Sequence, residues 1–219
     1  GPMKRGKTTT AVNFAVGALV AGKNVIHYGL EGNEKKTQVL YDAKISDISK
    51  DEINSKNLKI RERAIAIVRK RVNEWFQSSS TGKLIIKHYS ANICSARTIE
   101  SHLRRLKIMK DFVPDLVIID YLSLMRTADK NIKIEASSGG KYHVMGIITK
   151  ELLSLAQRYN YAIWLLHQST RASKSKEWIG LEDSADSAEP MRDADVILTL
   201  NQTKEESFKF PQEFRISIA

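Results

Sequence analysis

The stretch Leu116-Val117-Ile118-Ile119-Asp120 decides the fold class of this chain. Its unbroken apolar run is typical of a strand covered on both faces, which is the situation of strands in parallel sheets. Its last residue, Asp120, is a carboxylate at the end of that strand, where α/β proteins place ligand-binding groups. We therefore expect a central strand in a parallel sheet, with Asp120 at the edge of the sheet that binds ligands.

Helices and strands alternate on both sides of this stretch, the pattern of an α/β fold with a mostly parallel central sheet flanked by helices. Apolar residues spaced by three and four predict helices at 8–19, 58–76, 98–110 and 145–159. Short apolar runs predict strands at 24–30, 84–89, 161–166, 196–200 and 214–218. Polar stretches predict loops at 126–141, which we expect to be mobile, and at 170–189.

Composition restricts the class of protein. The 219 residues are 42% hydrophobic and 27% charged, enough to bury the core of one full-sized domain. Lysine and arginine number 35 against 25 acidic residues, and the resulting charge of +10 favours a polyanionic partner, although a merely basic surface is the alternative. The single cysteine, Cys94, excludes an internal disulfide. No stretch is typical of a secretory signal or a membrane span, so we expect a soluble cytoplasmic protein.

The first eight residues fit the phosphate-loop pattern G-x-x-x-x-G-K-[ST] and open a predicted helix. Backbone N–H groups of such a loop wrap phosphates, the lysine reaches the β and γ phosphates of ATP, and the hydroxyl binds Mg²⁺. Alternatively Gly1-Pro2 is an expression-tag remnant, which leaves Gly6-Lys7-Thr8 intact. The strand that normally precedes this loop is missing, which indicates a fragment or a chain numbered from an internal residue. The predicted nucleotide-binding residues are Gly1, Met3, Lys4, Arg5, Gly6, Lys7, Thr8 and Thr9.

Three polar residues at predicted strand ends complete a hydrolytic site. Asp120 is predicted to hold Mg²⁺ together with Thr8, although an acid that closes a strand is often only a turn residue. Glu31 is predicted to orient or deprotonate the attacking water, with a solvated glutamate as the alternative. Gln168 carries an amide that can donate to a γ-phosphate oxygen and accept from water, so it can distinguish triphosphate from diphosphate.

Both predicted loops carry basic residues that could contact a nucleic acid. The first loop has no aromatic residue before Tyr142, which favours contact with the phosphate backbone over base stacking, and a solvated charged loop is the alternative. The predicted DNA-binding residues are Arg126, Lys130, Lys133 and Lys141 in the first loop and Arg171, Lys174 and Lys176 in the second.

The order of these motifs resembles the RecA-like motor domain of DnaB-type replicative helicases. Residues 82–125 especially resemble the hexameric replicative helicases of T4-like bacteriophages. The resemblance covers nearly the whole chain. It is carried by Gly6-Lys7-Thr8, Glu31, Asp120-Tyr121-Leu122-Ser123-Leu124-Met125, His167-Gln168-Ser169-Thr170-Arg171 and Asp193-Ala194-Asp195-Val196-Ile197-Leu198.

The resemblance implies a P-loop NTPase that hydrolyses ATP with Mg²⁺ and moves 5′ to 3′ along single-stranded DNA. It implies a six-subunit ring with ATP sites at subunit boundaries, loops that face a central DNA channel, a primase and a helicase loader as partners, and a bacterial or phage-infected cell as the setting. Two departures matter. Gly32-Asn33 stands where the family usually has Met-Ser, and the chain stops at Ala219, before the strand that supplies the arginine finger, so Arg215 is not assigned that role.

Two other functions remain open at this point. One is a recombinase-like or KaiC-like ATPase that binds single-stranded DNA and controls assembly without unwinding. The other is a DNA-binding module in which nucleotide only switches affinity. We expect residues 1–219 to form one RecA-like domain in either case, because the sequence has no internal repeat and no convincing linker.

Overall fold

The computed structural model describes residues 6–78, 80–129, 138–168, 191–203, 205–206 and 214–218. The helices in these ranges are α1 (Lys7–Val20), α2 (Glu34–Ser46), α3 (Lys50–Ile53), α4 (Leu58–Gln77), α5 (Ala96–Lys110) and α6 (Ser138–Tyr159). The strands are β1 (Val25–Gly29), β2 (Leu84–His88), β3 (Leu116–Asp120), β4 (Ala162–Leu165), β5 (Leu198–Asn201) and β6 (Arg215–Ile218). Residues 1–5 and 169–190 lie outside the description, and so do residues 130–137, half of the first predicted loop.

The first four strands form one parallel sheet in the order β2-β1-β3-β4. β3 therefore lies inside the sheet, as its apolar run predicted, and Gly29 at the end of β1 pairs with Asp120 at the end of β3. Because all four strands run the same way, their carboxyl ends meet at one edge. The sequence prediction of an α/β fold with a mostly parallel central sheet is confirmed.

The last two predicted strands do not join that sheet. In the described ranges β5 and β6 pair with each other as an antiparallel ladder, with Leu198 opposite Ile218 and Asn201 opposite Arg215. The predicted strands 196–200 and 214–218 are thus found as strands, but as neighbours of each other. An apolar run identifies a strand but does not identify its partner.

Two groups of helices cover the two faces of the parallel sheet. Helix α1 packs Val12, Ala15 and Leu19 against one face. Helices α5 and α6 pack on the other face, where Ile99 and Ile148 are 1% exposed. Strand β3 is buried from Val117 to Ile119 because helices cover both of its sides.

Three features of the chain differ from the sequence prediction. Helices α2 and α3 were not predicted, although Asn33 caps the first and Ser49 forms a capping box with Glu52 at the start of the second. Helix α6 begins at Ser138, so the predicted loop 126–141 was too long and Lys141 lies in a helix rather than in a loop. Tertiary packing of the following apolar residues outweighs the poor helix propensity of the two glycines near its start.

Within the described ranges, no helix combines the length and the apolar character that crossing a membrane requires.

Candidate active site

Helix α1 begins directly at the predicted phosphate-binding turn. Gly6 adopts φ 72°, in the left-handed region that favours glycine, and its carbonyl accepts a hydrogen bond from the Thr10 N–H at 2.8 Å. Lys7 and Thr8 therefore form the first turn of the helix, whose N–H groups and dipole attract anions. The predicted contacts Gly1, Met3, Lys4 and Arg5 lie outside the described residues, and Thr9 is exposed in the first turn.

A side-chain hydrogen bond joins the start of α1 to the end of β3. The Thr8 hydroxyl donates a hydrogen bond to the Asp120 carboxylate, with 2.6 Å between Oγ1 and Oδ2. These residues are 112 positions apart in sequence. The fold thus brings a hydroxyl and a carboxylate together at the carboxyl edge of the sheet, the pair of oxygen ligands that holds Mg²⁺ in phosphate-loop ATPases.

The electrostatics indicate a partly desolvated site with three interacting charges. Burial lowers the pKa of Lys7, while the carboxylates of Asp120 and Glu31 raise it. Burial is also the main influence that raises the pKa of Asp120; the Thr8 hydrogen bond and Lys7 lower that pKa, and Glu31 raises it further. A carboxylate in such a place is stabilised by any cation that binds beside it.

These oxygens suit Mg²⁺ bound together with a polyphosphate. In the part of the chain that the structure describes, no three His, Cys, Asp or Glu side chains are grouped as ligands for a metal held by protein alone. Mg²⁺ usually takes only one or two protein oxygens and completes its octahedron with phosphate oxygens and water. Thr8 and Asp120 fit that requirement.

The other two predicted catalytic residues follow neighbouring strands at the same edge. Glu31 comes two residues after the end of β1 and is exposed, so water can reach its carboxylate. Gln168 comes three residues after the end of β4, and its side chain hydrogen-bonds Tyr121. Glu31, Asp120 and Gln168 therefore lie at the ends of three adjacent parallel strands.

Two tyrosines near the site were not predicted as site residues. Tyr121 directly follows Asp120; burial raises its pKa first, and Glu31 and Asp120 raise it further. Tyr41 is 1% exposed, hydrogen-bonds His27 at 3.0 Å, and has a pKa raised by burial and then by Asp120. The position of Tyr121 beside the acid could have revealed it. Tyr41 comes from an unpredicted helix, so the sequence held no comparable signal for it.

Of the predicted DNA-binding residues, only Arg126 can be placed with its side chain. Its backbone N–H donates to the Cys94 carbonyl at 2.9 Å and its Nε donates to the Ile93 carbonyl at 3.1 Å. Residue 126 lies outside any helix or strand, as predicted, and these bonds tie it to the segment before α5. Lys130, Lys133, Arg171, Lys174 and Lys176 lie outside the described residues, and only the helical backbone of Lys141 is described.

The chain is similar to known proteins over nearly its whole length. Residues 2–218 match the family model for the DnaB-like helicase C terminal domain. The chain is 28% identical over 200 residues to the DnaB-like replicative helicase of Enterobacteria phage T4, a match that covers 91% of this chain but 40% of that protein.

Two solved structures share the fold over 100% of the chain. The first, a DnaB-like replicative helicase described with its interactions with primase, has a TM-score of 0.78 at 18% identity and is covered over 54% of its length. The second, described as an ATPase domain, has a TM-score of 0.76 at 20% identity and is covered over 74% of its length. At these identities the two structures support the fold alone.

Proposed function

Because this chain belongs to the DnaB-like helicase C-terminal domain family, we propose that it is the ATP-hydrolysing motor of a replicative DNA helicase. The contact between Thr8 and Asp120 carries the proposal, since it joins the phosphate-binding turn to the acid of the central strand. The 219 residues act as one RecA-like domain of a longer protein, in line with their coverage of 40% of the T4 helicase.

The nucleotide is ATP, and each residue of the site has a part in its hydrolysis. Lys7 and the start of α1 neutralise the phosphates, while Thr8 and Asp120 hold Mg²⁺. When bound, Mg²⁺ supplies positive charge that offsets the negative charge of the phosphate oxygens. Glu31 orients or deprotonates the attacking water from its exposed position. Gln168 senses the γ-phosphate.

Gln168 also gives the site a route to DNA. It immediately precedes the stretch 169–190, which contains Arg171, Lys174 and Lys176. Loss of the γ-phosphate would change the contacts of Gln168 and thereby act on the start of that stretch. Single-stranded DNA is the polyanionic partner that the charge of +10 favours. The resemblance adds a hexameric ring, 5′-to-3′ movement, a primase and a helicase loader as partners, and the cytoplasm of a bacterial or phage-infected cell.

ATP turnover by the full-length protein with and without single-stranded DNA tests the motor. We expect Lys7→Ala to lose ATP affinity. We expect Glu31→Gln to keep ATP affinity but to lower turnover about 10²- to 10⁴-fold, the usual contribution of a general base. Glu34→Gln, an equivalent change at an exposed glutamate in α2, serves as the control and should turn over normally.

A forked duplex separates the motor from the assembly-switch alternative. ATP-dependent strand displacement supports the motor, whereas DNA-stimulated turnover without displacement favours a recombinase-like or KaiC-like ATPase. ATP binding without any turnover contradicts the proposal and leaves a nucleotide-switched DNA-binding module. Family membership favours the motor among these alternatives.

A further inference from the structure

A cleft of about 740 Å³ opens beside the N-terminal half of α5, a helix on the sheet face opposite α1. Three arginines line it, Arg97 and Arg105 from α5 and Arg126 from the segment after β3. Ser95, Thr98 and Ser101 also line the cleft, and the described lining contains no Asp or Glu. We call this site the arginine cleft.

The cleft arginines of α5 lie one after the other along the helix axis. Arg97, Ser101 and Arg105 are four residues apart, so they follow one another along one side of the helix. At a rise of about 1.5 Å per residue, the row from Arg97 to Arg105 spans about 12 Å. A row of that length suits an extended chain of phosphates better than a single small anion.

The third arginine is hydrogen-bonded to the wall of the cleft. The segment that carries Arg126 is tied to the residues before α5, since the Asn92 N–H donates to the Leu124 carbonyl at 2.8 Å and Arg126 itself bonds the carbonyls of Ile93 and Cys94. Four residues further along the chain, Lys130 opens the rest of the predicted DNA-contacting stretch. The arginine cleft thus lies at the base of that stretch.

Two carboxylates adjoin the cleft, Glu100 and Glu151, and Glu151 accepts a hydrogen bond from the Ala128 N–H at 3.0 Å. In the ranges that the structure describes, none of its three arginines pairs with a carboxylate, and Glu100 of the same helix is engaged by Arg104 at 3.0 Å. The pKa of His102 is lowered by burial first and then by Lys87, Arg105 and Lys110, the response expected in a positive field.

The tyrosine at the cleft is already packed. The Tyr89 ring stacks on Tyr28 with centroids 6.0 Å apart, meets His102 edge-on at 6.3 Å, and lies under the Lys87 ammonium at 5.5 Å. A base therefore finds no open tyrosine ring to stack on in the described lining. The Ser95 and Thr98 hydroxyls bond each other at 3.0 Å, so the guanidinium groups and the Ser101 hydroxyl are the groups offered to a ligand. Such groups bind backbone phosphates without reading sequence.

We propose that the arginine cleft binds the sugar-phosphate backbone of single-stranded DNA, which extends the DNA-contacting surface beyond the two predicted loops. Arg97, Arg105 and Arg126 contact phosphates, and the exposed Ser101 hydroxyl adds a hydrogen bond. This inference rests on the proposed function, because it assumes that the protein moves along single-stranded DNA.

Affinity for a fluorescent thymidine oligonucleotide, measured by anisotropy over a range of salt concentrations, tests the cleft. The full-length protein is used with a non-hydrolysable ATP analogue. For single strands, the slope of log K against log salt changes by about 0.7 for each lost phosphate contact. We expect Arg97→Ala and Arg105→Ala each to weaken binding and flatten the slope by about 0.7, and the double variant to flatten it by about 1.4.

Arg63→Ala is the matched control, since it removes the same charge from an exposed position on α4. It should leave the slope unchanged. ATP turnover without DNA and the mass of the particle should stay at wild-type values in all variants, because neither Arg97 nor Arg105 belongs to the nucleotide site.

The outcomes separate this inference from the proposed function. If the double variant binds the oligonucleotide as the wild type does, with an unchanged slope, the proposal of the arginine cleft is wrong and the proposed function is not affected. A change in particle mass with an unchanged slope also overturns it, and indicates a contact between subunits instead. If the wild-type protein hydrolyses ATP but binds no oligonucleotide, the DNA motor and the cleft are both wrong.

Discussion

Replacement of Thr8 by valine removes the hydroxyl that meets Asp120 and keeps the shape and branching of the side chain. The hydrogen bond is 2.6 Å long and its acceptor is a carboxylate, so it belongs to the class that contributes about 1.5–3 kcal/mol. We expect the free energy of unfolding, measured in urea at neutral pH without Mg²⁺ or nucleotide, to fall by that amount. The pKa of Asp120 should rise, because the Thr8 bond is the strongest influence that lowers it.

A double-mutant cycle isolates the contact from other effects of the change. Thr8→Val, Asp120→Ala and the double variant should give a coupling energy of about 1.5–3 kcal/mol, since the bond exists only when both partners are present. Thr9→Val makes the same chemical change at the next, exposed position and should alter stability by less than about 0.5 kcal/mol. A coupling energy below about 0.5 kcal/mol would refute the argument that the fold itself joins the phosphate-binding turn to Asp120.

Two further predictions concern the sheet and its surroundings. Burial lowers the pKa of His27 from 6.5 to about 4, so its contribution to stability is complete above pH 6.5 and is lost as pH falls toward 4. At 1.36 kcal/mol per pKa unit, the free energy of unfolding falls by about 3 kcal/mol. Urea unfolding between pH 6.5 and 4 should show this fall in the wild type but not in His27→Gln. The same dependence of stability on pH in both proteins would contradict the prediction. A Cβ on Gly82 would lie 2.0 Å from the backbone oxygen of Lys23, so Gly82→Ala should cost about 1–3 kcal/mol or more. Gly17→Ala, which meets nothing within 4 Å inside α1, should instead stabilise by about 0.5–1 kcal/mol, and equal effects of the two changes would refute the steric argument.

The carboxyl edge of the sheet could be predicted from the sequence because parallel strands make it simple. An unbroken apolar run predicts a buried parallel strand, and the polar residue that follows each run must then lie at the same edge. This reasoning applies to Glu31, Asp120 and Gln168 without any knowledge of how the helices pack. Their roles in hydrolysis remain predictions.

Elements without an apolar stripe could not be predicted in this way. Helix α2 is polar along most of its length, and only Thr37, Tyr41 and Ser46 are buried in it. The buried Tyr41 beside Asp120 was missed with it. The start of α6 was missed for the opposite reason, because its Ser-Gly-Gly sequence is typical of a loop and the packing that makes it helical comes from residues further along.

The arginine cleft depends on which face of the sheet each crossover helix takes, and periodicity does not reveal that. Once α5 and β3 are placed, the segment from Asp120 to Arg126 links the nucleotide site to the cleft. The Leu122 N–H bonds the Leu166 carbonyl at 2.9 Å near one end, and the Arg126 N–H bonds the Cys94 carbonyl at 2.9 Å at the other. Leu122 and Met125 of this segment are buried, at 0% and 3% exposure.

Because this segment is hydrogen-bonded at both ends and its apolar residues are buried, we expect it to carry a displacement of Asp120 toward Arg126. If ATP changes the position of Asp120, it therefore changes the position of Arg126 in the cleft. Linkage is reciprocal, so DNA bound at the cleft must change ATP affinity by the same factor by which ATP changes DNA affinity. Arg126→Ala should consequently lose part of this mutual effect, measured as the change in oligonucleotide affinity on addition of a non-hydrolysable ATP analogue.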